Sequence, residues 1–232
     1  MLSNLERTIN DRRRIHLVRH GDVSYFDESG DPFHQDDVPL NEEGRGQARA
    51  LARILEPVPL DRLIVSGLPR TVETAAILTE NRGLEAEVRS ELREISPGRL
   101  ADIPAADLER QFTRALSANI ERQSRFLGGE TFGSLEDRVI PCFEEILADE
   151  KWKNLLIVAH GGTNRMVLAH ALGAGLRTVG SIEQDPACLN VLDVNGDGTF
   201  IVRLLNYSEY SPVKDGIRLT TMERIYRSYL EP

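Results

Sequence analysis

No stretch of this chain is apolar for long enough to span a membrane, which takes about 20 such residues. No apolar segment follows the basic run Arg12-Arg13-Arg14, as a targeting signal would require, so that run reads as a solvated N-terminal extension. Cysteine is nearly lacking. Cys142 and Cys188 have no motif spacing, and reduced thiols in a cytoplasmic protein are expected. Positive charge is in deficit: 28 Lys and Arg against 37 Asp and Glu leave a net charge of -9. A binder of nucleic acid or of an anionic membrane wants a basic face, so neither partner is expected. A local basic pocket for a small anion is still compatible with that balance. Internal repeats and low-complexity tracts are absent too.

What is present is a chain of 232 residues, 41% of them hydrophobic, long enough to bury a sizeable core. Short apolar runs read as strands at Ile15 to Val18, Asp61 to Ser66, Glu85 to Val88, Leu155 to Val158, Cys188 to Val194 and Thr199 to Leu205. Between them lie helical patterns: one capped by Asn41 and ending near Glu56-Pro57, one from Gly67-Leu68-Pro69-Arg70 through Leu78, and one after Thr163. Another helix follows Gly128-Gly129-Glu130-Thr131, with Thr131 or Ser134 as its cap. Residues 22 to 39, with Gly30-Asp31-Pro32 in the middle, form an exposed loop too long for a mere connector. Residues 92 to 128 read as mostly helical but interrupted at Pro97-Gly98 and Pro104. Asn195-Gly196-Asp197-Gly198 is a hairpin signal between the last two strands.

Alternating strands and helices predict an α/β three-layer sandwich with a mostly parallel central sheet and an antiparallel edge from the hairpin. The expected organisation is a single domain over 1–232, with a helical cap or insertion at about 97–130. The tail after Asn206 has no pattern that fixes its structure.

Three strand ends carry polar signatures: Arg19-His20-Gly21, Ser66 with Arg70, and His160-Gly161-Gly162. Ligands of open α/β sheets bind at the carboxyl ends of strands. If these strands are parallel neighbours, two imidazoles and two guanidiniums share one pocket, a site for a dianionic group such as a phosphoryl group. Arg70, in the first turn of a helix, opposes the helix dipole unless an anion sits there. Gly161-Gly162 lets the backbone approach a ligand closely. His16, His34 and His170 have no such partners and read as core, loop and helix surface or packing.

Five ordered motifs resemble the histidine phosphatase superfamily, which includes phosphoglycerate mutases and small-molecule phosphatases. They are Leu17-Val18-Arg19-His20-Gly21; Pro39-Leu40 with Gly44 and Gln47-Ala48; Ser66 with Arg70-Thr71 and Glu73-Thr74-Ala75; Leu92-Arg93-Glu94-Ile95; and Ala159-His160-Gly161-Gly162. The resemblance implies a phosphoglycerate mutase-like fold. It implies that His20 is a nucleophile that becomes phosphorylated, that Arg19, Arg70 and His160 bind phosphoryl oxygens, and that Glu94 donates the proton. Without the resemblance Glu94 reads as a solvated surface charge; Glu91 is the fallback acid. No cofactor or metal is called for, since the arginines can supply the charge that magnesium supplies elsewhere.

The chain departs from the family where Val23, Phe26 and Asp22 replace the usual Ser or Thr, Asn and Glu. The loop Ser24-Tyr25-Phe26-Asp27 offers aromatic surface, either for a less polar or ring-bearing substrate or to anchor the loop. Gly162-Thr163-Asn164-Arg165 resembles the phosphatase branch. The expected activity is therefore hydrolysis of a small phosphorylated metabolite. The alternatives are mutase-type phosphoryl transfer and a non-catalytic phospho-ligand-binding module. Oligomeric state is unspecified, with a homodimer among the arrangements allowed.

Overall fold

The computed structural model describes residues 11–27, 29, 31–116 and 120–231; Gly30 of the long loop lies outside them. Six strands form one sheet: β1 (Arg13–Arg19), β2 (Arg62–Val65), β3 (Ala86–Val88), β4 (Asn154–Ala159), β5 (Leu189–Val194) and β6 (Phe200–Tyr207), in the order β3-β2-β4-β1-β5-β6. The four strands β3, β2, β4 and β1 run parallel. The hairpin β5–β6 supplies the antiparallel edge, with β5 reversed against both neighbours.

Alternation along the strands divides the core in two. Ile15, Leu17, Leu155 and Ile157 pack on one face against α4 (Phe132–Ala148) and α5 (Gly161–Ala171), through Leu135, Val139, Phe143 and Met166. Val18, Leu156 and Val158 face the other way, against Leu51, Leu55, Ala75 and Leu78 of α1 (Glu42–Leu55) and α2 (Pro69–Leu78). Each strand side chain therefore meets one helical layer, which is what a sandwich requires. Caps set the helix starts: Asn41 accepts from the Gly44 N–H at 2.8 Å, and Thr131 from Ser134 at 3.1 Å.

Three expectations need correction. Arg13 and Arg14 are no solvated extension but the start of β1. Arg13 lies 4.3 Å from the Trp152 ring centroid and donates to the carbonyls of Leu147 and Asp149, while Arg14 pairs with Asp193 at 2.7 Å. Local charge masked strand residues whose polar heads find partners at the sheet's end. Among the described residues of 92–128, helix is limited to Leu92 at the end of a short turn (Ser90–Leu92), a second short turn at Leu100–Asp102 and α3 (Ala105–Thr113), because Pro97, Gly98 and Pro104 break the backbone ladder. The helix expected after Thr163 begins two residues earlier, at Gly161, with His160 as its N-cap residue. The tail, unread from sequence, ends in α6 (Thr221–Leu230), capped by a reciprocal Thr220–Glu223 box and packed on α3.

Candidate active site

Sheet register brings the polar strand ends together. Arg19 pairs with Ala159 and Val65 with Val158, so His20, Ser66 and His160 leave neighbouring strands at one edge. The His20 N–H donates to the Ala159 carbonyl at 3.1 Å, and the two imidazoles stand edge to face with centroids 5.2 Å apart. Arg19, His20, Arg70 and His160 are all buried. Arg19 donates through Nη1 to the Gln184 carbonyl (2.6 Å) and Thr221 Oγ1 (3.1 Å), and Arg70 through Nη1 to the Gln35 carbonyl (2.5 Å). Nε of Arg19, Nε of Arg70 and Nδ1 of His160 are buried with no hydrogen-bond partner among the described residues. Buried polar atoms are nearly always paired, so the two unpaired guanidinium N–H donors of Arg19 and Arg70 leave this cationic cluster with unused capacity for an acceptor.

Hydrogen bonds fix both rings. His20 Nδ1 lies 2.7 Å from the Gly21 carbonyl, which only accepts, so Nδ1 carries the proton and Nε2 keeps its lone pair. Thr71 spends its hydroxyl proton on the Leu68 carbonyl (2.8 Å), so Ser66 donates to Thr71 (3.0 Å) and accepts from His160 Nε2 (2.8 Å). Burial foremost, then Arg70 and Arg19, holds His20 neutral well below the usual imidazole range; His160 is lowered by burial, then by Arg70, His20 and Arg19.

Glu94, half-buried, reaches the same place from the loop after β3. Its Oε1 accepts from the N–H groups of Ile95 (3.0 Å), Gly162 (3.0 Å) and Thr163 (3.2 Å); among the described residues Oε2 accepts only from Gly162, at 3.1 Å. A Cβ on Gly161 would lie 3.1 Å from Arg165 Nη1 and 3.6 Å from both Arg19 Nε and Glu94 Oε2. These three groups thus surround one small floor. Glu91 is exposed and its Oε2 meets Ser90.

Sequence reasoning missed several supporting groups. Arg138 of α4 donates to the carbonyls of Glu91, Arg93 and Glu94 at 2.6–3.1 Å, tying the Glu94 loop to the helix behind it. Arg165, quoted only as part of a motif, is buried beside the cluster and paired with Glu183 at 2.5 Å; Glu183 in turn accepts from Thr221 Oγ1 at 2.9 Å. No local signal separates such arginines from surface ones, because their partners come from distant segments.

His16 is in the core, with burial foremost lowering it to about 4. His34 lies on the exposed loop, and His170 packs near Phe143 and Phe200. Val23 is buried with Val38 and Leu40, and Tyr25 packs against them. The Phe26 ring meets Tyr229 with centroids 5.5 Å apart. Both aromatic residues also line a cavity of about 930 Å³ that opens from the cationic cluster, so the loop's rings anchor it and face a ligand space at once. Among the described residues no helix is long and apolar enough to cross a membrane.

Residues 15–207 match the family model described as histidine phosphatase superfamily (branch 1). An adenosylcobalamin/α-ribazole phosphatase of Salmonella typhimurium is 27% identical over 195 residues, covering 83% of this chain and 96% of that protein. An Arabidopsis thaliana protein named "Probable 2-carboxy-D-arabinitol-1-phosphatase" is 28% identical over 216 residues; the match covers 90% of this chain but only 45% of that longer relative. The solved structure of a mycobacterial glucosyl-3-phosphoglycerate phosphatase superposes with a TM-score of 0.69 at 25% identity, covering 85% of this chain and all of that one. With the family match spanning most of its length, the chain belongs to the histidine phosphatase superfamily.

Proposed function

We propose that the chain is a phosphomonoesterase acting through a phosphohistidine on His20. One observation carries the reading: an Nε2 lone pair on a neutral, buried imidazole faces a cluster of arginine and histidine groups with unpaired polar atoms. A phosphoryl group bound by Arg19, Arg70, His160 and the Gly161 backbone presents phosphorus to Nε2. The N–P bond forms as the bond to the leaving oxygen breaks, and the Glu94 carboxyl gives that oxygen its proton. Water then attacks phosphorus, the P–N bond breaks, and Glu94 takes a proton from the water. Oε2 is the less engaged carboxyl oxygen and lies on the side of Arg19, which suits the transfer. His160 donates to phosphate only as an imidazolium. Burial foremost keeps it neutral, and a bound dianion offsets the arginine charge that adds to that effect.

The chemistry belongs to one domain, with the segment 97–130 over the pocket mouth, acting on a small phosphorylated substrate in the cytoplasm. Mutase chemistry would need polar space for a second phosphoryl group, whereas the space beyond the cluster is largely apolar. Incubation with ³²P-labelled phosphomonoesters, followed by rapid denaturation and workup in alkali, tests the proposal. The expected result is a base-stable label lost in His20→Ala and discharged rapidly to water. A label retained until a second hydroxyl compound is added would instead indicate a mutase, and no label with any substrate a binding module.

A further inference from the structure

The chain has only seven Phe, five Tyr and one Trp, yet six of those rings line the cavity that opens from the cationic cluster. At about 930 Å³ it stands at the upper end of small-molecule sites, which run from about 300 to 1,000 Å³. Its polar groups fall into two sets. Arg19, Arg70, Glu94, Arg165 and Thr221 lie at the phosphoryl end, where the Gln35 carbonyl also meets Arg70, and Asp31, His34 and Arg99 are exposed to solvent. The rest of the wall is mostly hydrocarbon, with the hydroxyls of Tyr25 and Tyr229 among its few further polar groups.

Much of that wall comes from α3 and α6. Phe112 of α3 faces Tyr229 of α6 with centroids 6.4 Å apart, and Tyr229 reaches Phe26 at 5.5 Å. Met222 and Ile225 extend the same face of α6 into the cavity. The family match ends at residue 207, so α6 lies wholly beyond it. This helix is also joined to the cluster: Thr221 at its start accepts from Arg19, and its hydroxyl is shared with Glu183, the partner of Arg165. One element thus braces the phosphoryl end and walls the rest.

We propose that the substrate is a phosphomonoester with a bulky, ring-bearing apolar body, which lies against Phe26, Phe112, Ile225 and Tyr229 while its phosphoryl group meets Arg19 and Arg70. The assignment rests on the phosphomonoesterase reading and gives it a substrate class. A sugar or glycerate body would leave its hydroxyls facing hydrocarbon without partners, whereas an aromatic body buries its area and finds ring neighbours at ordinary stacking distance. Transfer of a water-poor body into this space also excludes bulk water from all but the phosphoryl end.

The test compares 2-(2-naphthyl)ethyl phosphate with glucose 6-phosphate and glycerol 1-phosphate on the 232-residue chain. All three leave as ordinary primary alcohols, so leaving-group chemistry does not bias the comparison. The naphthyl ester is expected to have a kcat/KM at least tenfold above either polar ester. In Ile225→Asn that preference is expected to fall at least tenfold, mainly through KM, and Ile225→Leu should restore it; apolar-pocket contacts carry roughly 10- to 200-fold discrimination. Binding of the matching naphthylethyl phosphonate, read by calorimetry, should be tighter than that of ethylphosphonate and have the more negative heat-capacity change. Turnover of the polar esters as good as or better than the naphthyl ester overturns the substrate class and leaves the phosphatase reading standing. Tight phosphonate binding with no ester hydrolysed does the reverse. Neither binding nor hydrolysis overturns both.

Discussion

Nε2 of His160 lies 2.8 Å from Oγ of Ser66, and the hydroxyls behind it decide which ring nitrogen is protonated. The proton relay His160–Ser66–Thr71 ends on a backbone carbonyl, so its direction cannot reverse. Ser66→Ala leaves a buried Nε2–H without an acceptor. The expected loss is about 1–3 kcal/mol of stability by chemical denaturation and roughly a 10- to 100-fold drop in kcat from a misaimed ring. Unchanged turnover would mean that Ser66 does not orient His160.

That relationship shows how much of the site was legible beforehand. Arg19, His20, Arg70 and His160 were readable because each sits at the end of an apolar strand or the start of the helix after it, and a parallel sheet collects such positions at one edge. Glu94 was readable only by resemblance, since its environment is made by α5, nearly 70 residues later. Arg138, Glu183 and Thr221 were illegible for the same reason. Arg13 and Arg14 misled because a run of like charge hides a strand whose side chains end on carbonyls and Asp193. The helix α6 did carry local signals, the Thr220–Glu223 capping pair and the helical spacing of Met222, Ile225, Tyr226 and Tyr229. Its packing partners, α3 and the loop at Phe26, lie too far along the chain to be read locally.

His20 should remain unprotonated where free histidine titrates. Burial and the two arginines lower it well below 6.5, and a nucleophilic ring has to be neutral. Titration of ¹⁵N-labelled imidazoles by NMR in the absence of substrate is expected to show His20 neutral, with the proton on Nδ1, down to about pH 6 and below. Replacing Arg70 by Met should raise the midpoint toward the ordinary value. Protonation of wild-type His20 near about pH 6.5 would count against a cationic pocket acting on this ring.

Glu94 can be tested in two independent ways. Glu94→Gln keeps an oxygen for the Ile95, Gly162 and Thr163 N–H groups but has no acidic proton, so the fold should hold while phosphoenzyme formation slows by about 10²–10⁴. Gly162→Ala leaves the carboxyl intact but sets a Cβ 2.6 Å from Oε1 and 3.1 Å from Ile95 Cγ2. The carboxylate must shift, and rapid-quench kinetics should again show a slower first step. Normal burst rates in both variants would remove Glu94 from the proton transfer.

His16 offers a test of stability separate from catalysis. Its ring is buried with both nitrogens unpartnered, and burial, with Arg14 and Arg82 outweighing Asp193, lowers its pKa to about 4. Above about pH 6.5 the ring is neutral in folded and unfolded chains alike, so its contribution is intact. As pH falls from there toward about 4, the unfolded chain takes a proton that the folded chain refuses, and stability declines. The decline from this ring alone is about 2 kcal/mol by pH 5. His20 and His160 shift in the same direction and add to it. His16→Leu removes one contributor and two unpaired buried nitrogens together. Urea unfolding is therefore expected to find the variant more stable than the parent at about pH 7.5, by roughly 1–3 kcal/mol, with the gap widening toward pH 5. A gap that stays constant with pH would mean that His16 does not titrate differently in the folded chain, and a gap that closes would reverse the sign of its burial.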